Sequence, residues 1–135
     1  MQSTVEFSLR RPNELGRIPI VMYHSVDNTR PFDRHGLNIP QATFHKHLSL
    51  MEKYGMYPIN VRDMRSHASL AQVPRGLVPV VITFDDGRKS QFKMLQDGTT
   101  DPKCALGILE DFIRNKAQIG RAHVWTPVTV PYLVC

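Results

Sequence analysis

The sequence predicts an α/β fold built on a parallel sheet, and three observations predict it. Residues 18–23 (Ile-Pro-Ile-Val-Met-Tyr) and 78–84 (Val-Pro-Val-Val-Ile-Thr-Phe) are short, almost wholly apolar runs rich in β-formers. Runs of that kind suit strands buried on both faces. Between and after them lie segments whose apolar residues recur at helical spacing. Strands that alternate with helices are the pattern of a parallel sheet or barrel.

Taken in order, residues 1–17 are polar, include Arg10-Arg11-Pro12-Asn13, and read as a tail. The first strand, 18–23, runs into His24. Residues 27–40 are polar and turn-rich, hence a loop. Residues 41–54 form the clearest helix, because Phe44, Leu48 and Met51 line one face, with Leu50 and Tyr54 at its edges. Gly55 sits where a helix C-terminus wants a residue of free φ. A second short strand follows at 57–61, a small helix or turn at 62–69, and a loop around Pro74-Arg75-Gly76. The third strand, 78–84, ends abruptly in Asp85-Asp86-Gly87. Residues 89–103 are polar, with a turn at Asp97-Gly98. Residues 104–115 read as a helix with Leu106, Leu109, Phe112 and Ile113 on one side. There are no internal repeats.

Composition narrows the function classes. With 135 residues the chain is long enough for one domain with a buried core. Hydrophobic residues make up 41%, the level of a folded globular chain. The net charge of +5 and pI near 9.5 raise nucleic acid as a partner. The basic residues are scattered, however, and a nucleic-acid footprint should cluster, so the expectation is a solvated basic surface. Cys104 and Cys135 have no metal-type partners at short spacing. No stretch approaches the roughly 20 apolar residues of a membrane span, and the N-terminus lacks the apolar core of a signal peptide.

The chemistry concentrates at Asp85-Asp86-Gly87. Two adjacent carboxylates at the C-terminal end of a buried strand stand where parallel α/β proteins place their chemistry. Adjacent carboxylates raise each other's cost of ionisation, so the pair calls for a cation or a shared proton. Strand alternation would turn the two side chains in different directions, and Gly87 would permit a sharp backbone exit. On spacing alone, a simple polar turn after a strand stays open as the alternative.

A wider pattern surrounds that motif. Ile18-Pro-Ile-Val-Met-Tyr-His-Ser25 comes first, then a helix ending Tyr54-Gly55-Met-Tyr-Pro58, then Pro79-Val-Val-Ile-Thr-Phe-Asp-Asp-Gly87. This order resembles the polysaccharide deacetylase family of carbohydrate esterases, with the NodB-homology domain, over about residues 17–116. Its most specific part is Thr-Phe-Asp-Asp-Gly. The loop from Ser90-Gln-Phe to Asp97-Gly98, with the helix at 104–115, resembles a bacterial branch with a longer insertion after the motif.

The resemblance implies a distorted (β/α) barrel, of which residues 18–118 would be the N-terminal, incomplete part. It implies a hydrolase of carbon–nitrogen bonds other than peptide bonds, removing N-acetyl, or O-acetyl, groups from chitin-, peptidoglycan- or xylan-like glycans. Asp85 would be the general base toward a metal-bound water, and Asp86 a ligand of a divalent metal, zinc by the family's habit. Two histidines of a later His-Ser/Thr-x-x-His motif would complete that site. The family works on cell-wall or extracellular glycans, so export is expected of a complete protein.

The departures from the pattern are as specific. No such histidine pair follows Asp86, and His123 is the sole histidine after the motif. One carboxylate is a poor divalent-metal site, so the expectation for this chain is a fragment inactive on its own. His45 and His47, two apart on a helix, face different ways. His24 would approach Asp86 if the two strands were neighbours, but a hydrogen-bonded structural role at the strand end is the expectation. His35 and His67 read as solvated loop residues. Residues 119–129 (Ile-Gly-Arg-Ala-His-Val-Trp-Thr-Pro-Val-Thr) look like a translated sequencing adapter, so 119–135 are expected to be a non-native tail. The competing reading is a non-catalytic glycan- or partner-binding module of the same fold. It would need exposed aromatic residues, and Tyr23, Tyr54 and Tyr57 are better explained as core or strand residues.

Overall fold

The computed structural model describes residues 17–29, 35, 37–65, 70–74 and 76–118. The expectations for residues 1–16, for His67 and for the tail at 119–135, with His123, Trp125 and Cys135, lie outside the described residues. The elements are β1 (Ile20–Tyr23), β2 (Ser25–Val26), β3 (Asn38–Ile39), α1 (Gln41–Lys53), β4 (Met56–Ile59), a 3₁₀ turn (Val61–Arg65), β5 (Val78–Phe84) and α2 (Ala105–Gln118). The α/β class is as expected, with parallel strands and two helices; among the described residues the strands do not close into a barrel.

The main sheet has the order β1-β5-β4, with both pairings parallel. The last of the described strands is therefore the central one. Tyr23 stands opposite Phe84, and Ile59 opposite Val81. A proline in a central strand removes a ladder donor, and the register explains how β5 tolerates Pro79. Val78 donates to Gly55 on the β4 side, and Val81 donates to Pro19 on the β1 side. By alternation the Pro79 nitrogen faces the β1 side, before β1 has begun at Ile20. No partner is lost.

Helix α1 buries Phe44, Leu48 and Met51, the three residues its periodicity selects. It ends where Gly55 takes φ +70°, donating to Glu52, while Tyr54 donates to Leu50. Its first N–H, on Gln41, is capped from a distance by the Asn28 side chain at 2.9 Å. Helix α2 buries Ala105, Leu106, Leu109 and Phe112. Both helices contribute to one core with Tyr23 and Phe84, so both cover the same face of the sheet. At its centre Tyr23 meets Phe44 edge-on at 4.9 Å between centroids and stacks on Phe84 at 5.8 Å.

Two expectations need correction. The first strand is not buried on both faces: Ile20 and Met22 are each 55% exposed. β1 is an edge strand, and no described element packs over its outer side, whereas Val81 and Tyr57 on the same face are buried. Residues 27–40 are also not loop throughout. Asn38 and Ile39 form β3, which pairs in parallel with β2 and buries Val26 and Ile39. Among the tyrosines, Tyr23 and Tyr57 are buried as expected, but Tyr54 is exposed. Of the small helix expected at 62–69, the turn Val61–Arg65 falls within the described residues.

Candidate functional site

The site is the corner where β5 ends. The parallel ladder carries one step past the strand, with the Asp85 N–H donating to Tyr23 at 2.9 Å. The chain then turns through two residues of positive φ, Asp86 at +74° and Gly87 at +59°. Positive φ at both central positions is the signature of a mirror-image turn. Gly87 takes it freely, and aspartate is among the few side-chain-bearing residues that visit it. Asp86 thus lies in the turn, past the end of the strand, where strand alternation no longer applies. Asp85 is half-buried and Asp86 exposed.

Each carboxylate has a distinct environment. Asp86 Oδ2 accepts from Arg88 Nε at 3.2 Å and Nη2 at 2.9 Å. The third nitrogen of that guanidinium, Nη1, donates to Ser25 Oγ at 3.2 Å, tying the corner to β2. No side-chain partner of Asp85 occurs among the described residues. A cation therefore does neutralise half of the acidic pair, and it is an arginine two residues along the chain.

Gln91 completes the corner from below. It is 1% exposed, among the most buried side chains of the protein. Its Nε2 donates to the carbonyls of His24, at 2.6 Å, and of Asp85. Its Oε1 accepts the Arg88 N–H at 3.0 Å. The loop carrying it also feeds α2, whose first amides, on Ala105 and Leu106, donate to the carbonyls of Ser90 and Gln91. Those amides are the ones a helix start leaves without partners.

The rest of the loop at 89–103 is held by Asp101. Its carboxylate accepts from the Lys103 N–H and from Lys93 Nζ, both at 2.9 Å, and these bonds hold its carboxyl below the usual range. Asp97 lies lower than usual for a similar reason, accepting the Thr99 hydroxyl and N–H in the turn that Gly98 closes. The loop lies directly on α2 at Gly107, where a Cβ would stand 2.1 Å from the Asp101 carbonyl oxygen.

The histidines are engaged elsewhere. The strands of His24 and Asp85 do neighbour each other, and His24 joins the corner through its backbone carbonyl. His47 Nδ1 shares a hydrogen bond with the Tyr23 hydroxyl at 3.1 Å, and the His45 ring meets Phe112 edge-on at 5.4 Å. His35 is exposed. Burial pushes the Tyr23 phenol up to about 12.

Among the described residues, no group of three or more His, Cys, Asp or Glu side chains is placed to hold a metal ion. One carboxylate already paired with arginine does not make a divalent-metal site. Asp86, the ligand the resemblance names, is among the described residues paired with Arg88. Sequence reasoning singled out Asp85 and Asp86 but passed over Arg88, Gln91 and Ser25. An opposite charge two residues after Asp86 was a usable signal for Arg88; nothing local marks Gln91 as buried.

No helix among the described residues is long and apolar enough to cross a membrane. No protein-family model, no curated protein and no solved structure matches the chain.

Proposed function

We propose that the chain carries the first catalytic motif of a metal-dependent polysaccharide deacetylase, a hydrolase that removes acetyl groups from N-acetylated, or O-acetylated, glycans. The supporting observation is the placement of Thr83-Phe84-Asp85-Asp86-Gly87 at the C-terminal end of the central strand of a parallel sheet. On this reading the strands described are the opening part of a distorted (β/α) barrel, and export to the cell wall or beyond is the destination of the whole protein.

Hydrolysis of an acetamide needs a base that takes a proton from water as the water oxygen attacks the carbonyl carbon. Asp85 is suited to that role, because no described side chain competes for its oxygens. Its half-buried position at a strand end keeps it fixed yet reachable. Asp86 differs, since its charge is already committed to a cation. The metal-binding half of the reading needs ligands beyond Asp86, which the family pattern puts on a later His-Ser/Thr-x-x-His segment.

Two measurements test the proposal together. One is acetate release from N-acetylated chito-oligosaccharides and acetylated xylan in the presence of zinc, for the chain and for any longer product of its reading frame. The other is the DNA sequence beyond the codon for Gln118. The expected result is a frame that continues into the histidine motif, with zinc-dependent release that Asp85→Asn abolishes. A frame lacking that motif, with no release under any metal, would overturn the proposal.

A further inference from the structure

We propose that Gln91 is the positioning residue of the Asp85-Asp86 corner, a role that matters for catalysis only if the deacetylase reading holds. In an ordinary four-residue turn the first carbonyl accepts directly from the fourth N–H. Here the four residues are Asp85, Asp86, Gly87 and Arg88, and one carboxamide bonds both ends of the turn. Gln91 Nε2 donates to the Asp85 carbonyl while Oε1 accepts the Arg88 N–H at 3.0 Å. The side-chain amide clamps the two ends of the turn from outside, with both left-handed residues inside its span.

The same nitrogen donates to the His24 carbonyl at 2.6 Å. That carbonyl lies one residue past the last matched pair of β1 and β5, Tyr23 and Phe84, where no strand donor remains. A primary amide is the only neutral side-chain group offering two N–H donors and an acceptor in one plane. One buried glutamine therefore closes the ends of two strands and the turn that presents Asp86. Glutamate has the same shape but no donor, and would set carboxylate oxygens against two carbonyls. Methionine fills the volume and leaves both carbonyls buried without donors, the costly half of a broken hydrogen bond.

Gln91 also reaches Asp86 indirectly. Arg88, the partner of Asp86, has its N–H held by Oε1 and its carbonyl held by the N–H of Gln91 at 2.9 Å. The base of the arginine is thus fixed from both sides before its guanidinium extends to Asp86 and Ser25.

The test is hydrogen exchange by NMR on the full chain, with no substrate or metal. In the unaltered protein the Gln91 side-chain amide protons are expected to exchange at least tenfold more slowly than those of the exposed Gln96. Exchange of both at the same rate overturns the proposal without any variant. In Gln91→Met, the Arg88 amide and Arg88 Nε–H should exchange at least tenfold faster, while the amides of Leu48 and Leu109 in the helices stay within twofold. Unchanged exchange at Arg88, or equal acceleration in the helices, marks Gln91 as ordinary core and overturns its positioning role. The deacetylase reading is judged separately by acetate release, so failure of one is not failure of the other.

Discussion

The aromatic core and the acidic corner lie one residue apart along β5, at Phe84 and Asp85, yet they are held by opposite means. Phe84 belongs to a cluster with Tyr23 and Phe44 in which contact is between rings and the stabilisation comes from apolar area removed from water. The corner is fixed by directed hydrogen bonds from Gln91 and Arg88, two side chains reaching back from the following loop. Packing tolerates small shifts and resists large losses of volume. A hydrogen-bonded corner depends on direction instead, holding the Asp85 carbonyl and the Asp86 carboxylate in place.

The contrast can be broken most severely from the core side. Phe44 is fully buried between the sheet and the helices, so Phe44→Ala should cost about 3–5 kcal/mol and lower the midpoint of denaturant unfolding accordingly. If the protein loses less than about 1 kcal/mol, the core described here is not what stabilises it.

A milder effect comes from pH. The Tyr23 phenol is raised by burial from its ordinary 10.0 to about 12, so the folded protein holds that proton more tightly than the unfolded chain. Stability from this group is complete below pH 10 and falls as pH rises from 10 through 12. Unfolding of the native protein should therefore steepen across that window relative to Tyr23→Phe. Parallel pH profiles for the two proteins would refute the assignment.

The smallest effect is expected at the corner. Arg88 and Asp86 are 35% and 48% exposed, and ion pairs of that kind contribute less than about 1 kcal/mol. Arg88→Met should leave the unfolding midpoint nearly unchanged while the Ser25 hydroxyl and Asp86 carboxylate lose their common partner, visible as shifts confined to those residues in NMR spectra. A loss as large as that of Phe44→Ala would erase the distinction between core and corner.

Much of the core was legible because its signals are periodic. Phe44, Leu48 and Met51 declare a helix face, Gly55 declares its end, and β5 has the bounds its apolar run implies. The exposed side of β1 was not legible, since a run of apolar residues states hydrophobicity without saying which neighbours exist to cover it. The pairing of β2 with β3 escaped for another reason: a pair of two-residue strands carries no period. The place of Asp85 and Asp86, just past the end of β5, was legible from the apolar run before them. Gln91 was not, because a glutamine in a polar loop looks solvated until the fold shows two carbonyls waiting beside it. Of the histidines, His45 and His47 have ring partners away from the corner, and His24 meets it through its backbone carbonyl.

The positive φ of Asp86 has a consequence for how the corner can vary. Its backbone admits glycine, asparagine and aspartate readily and most other residues poorly. Its pairing with Arg88 asks for a carboxylate. Glutamate meets the second demand and fails the first; asparagine and glycine meet the first and fail the second. Two independent filters, one steric and one electrical, leave a single letter of the amino-acid alphabet. A saturation library scored for folding alone should return three letters at this position, and one scored for the charge-dependent role should return one.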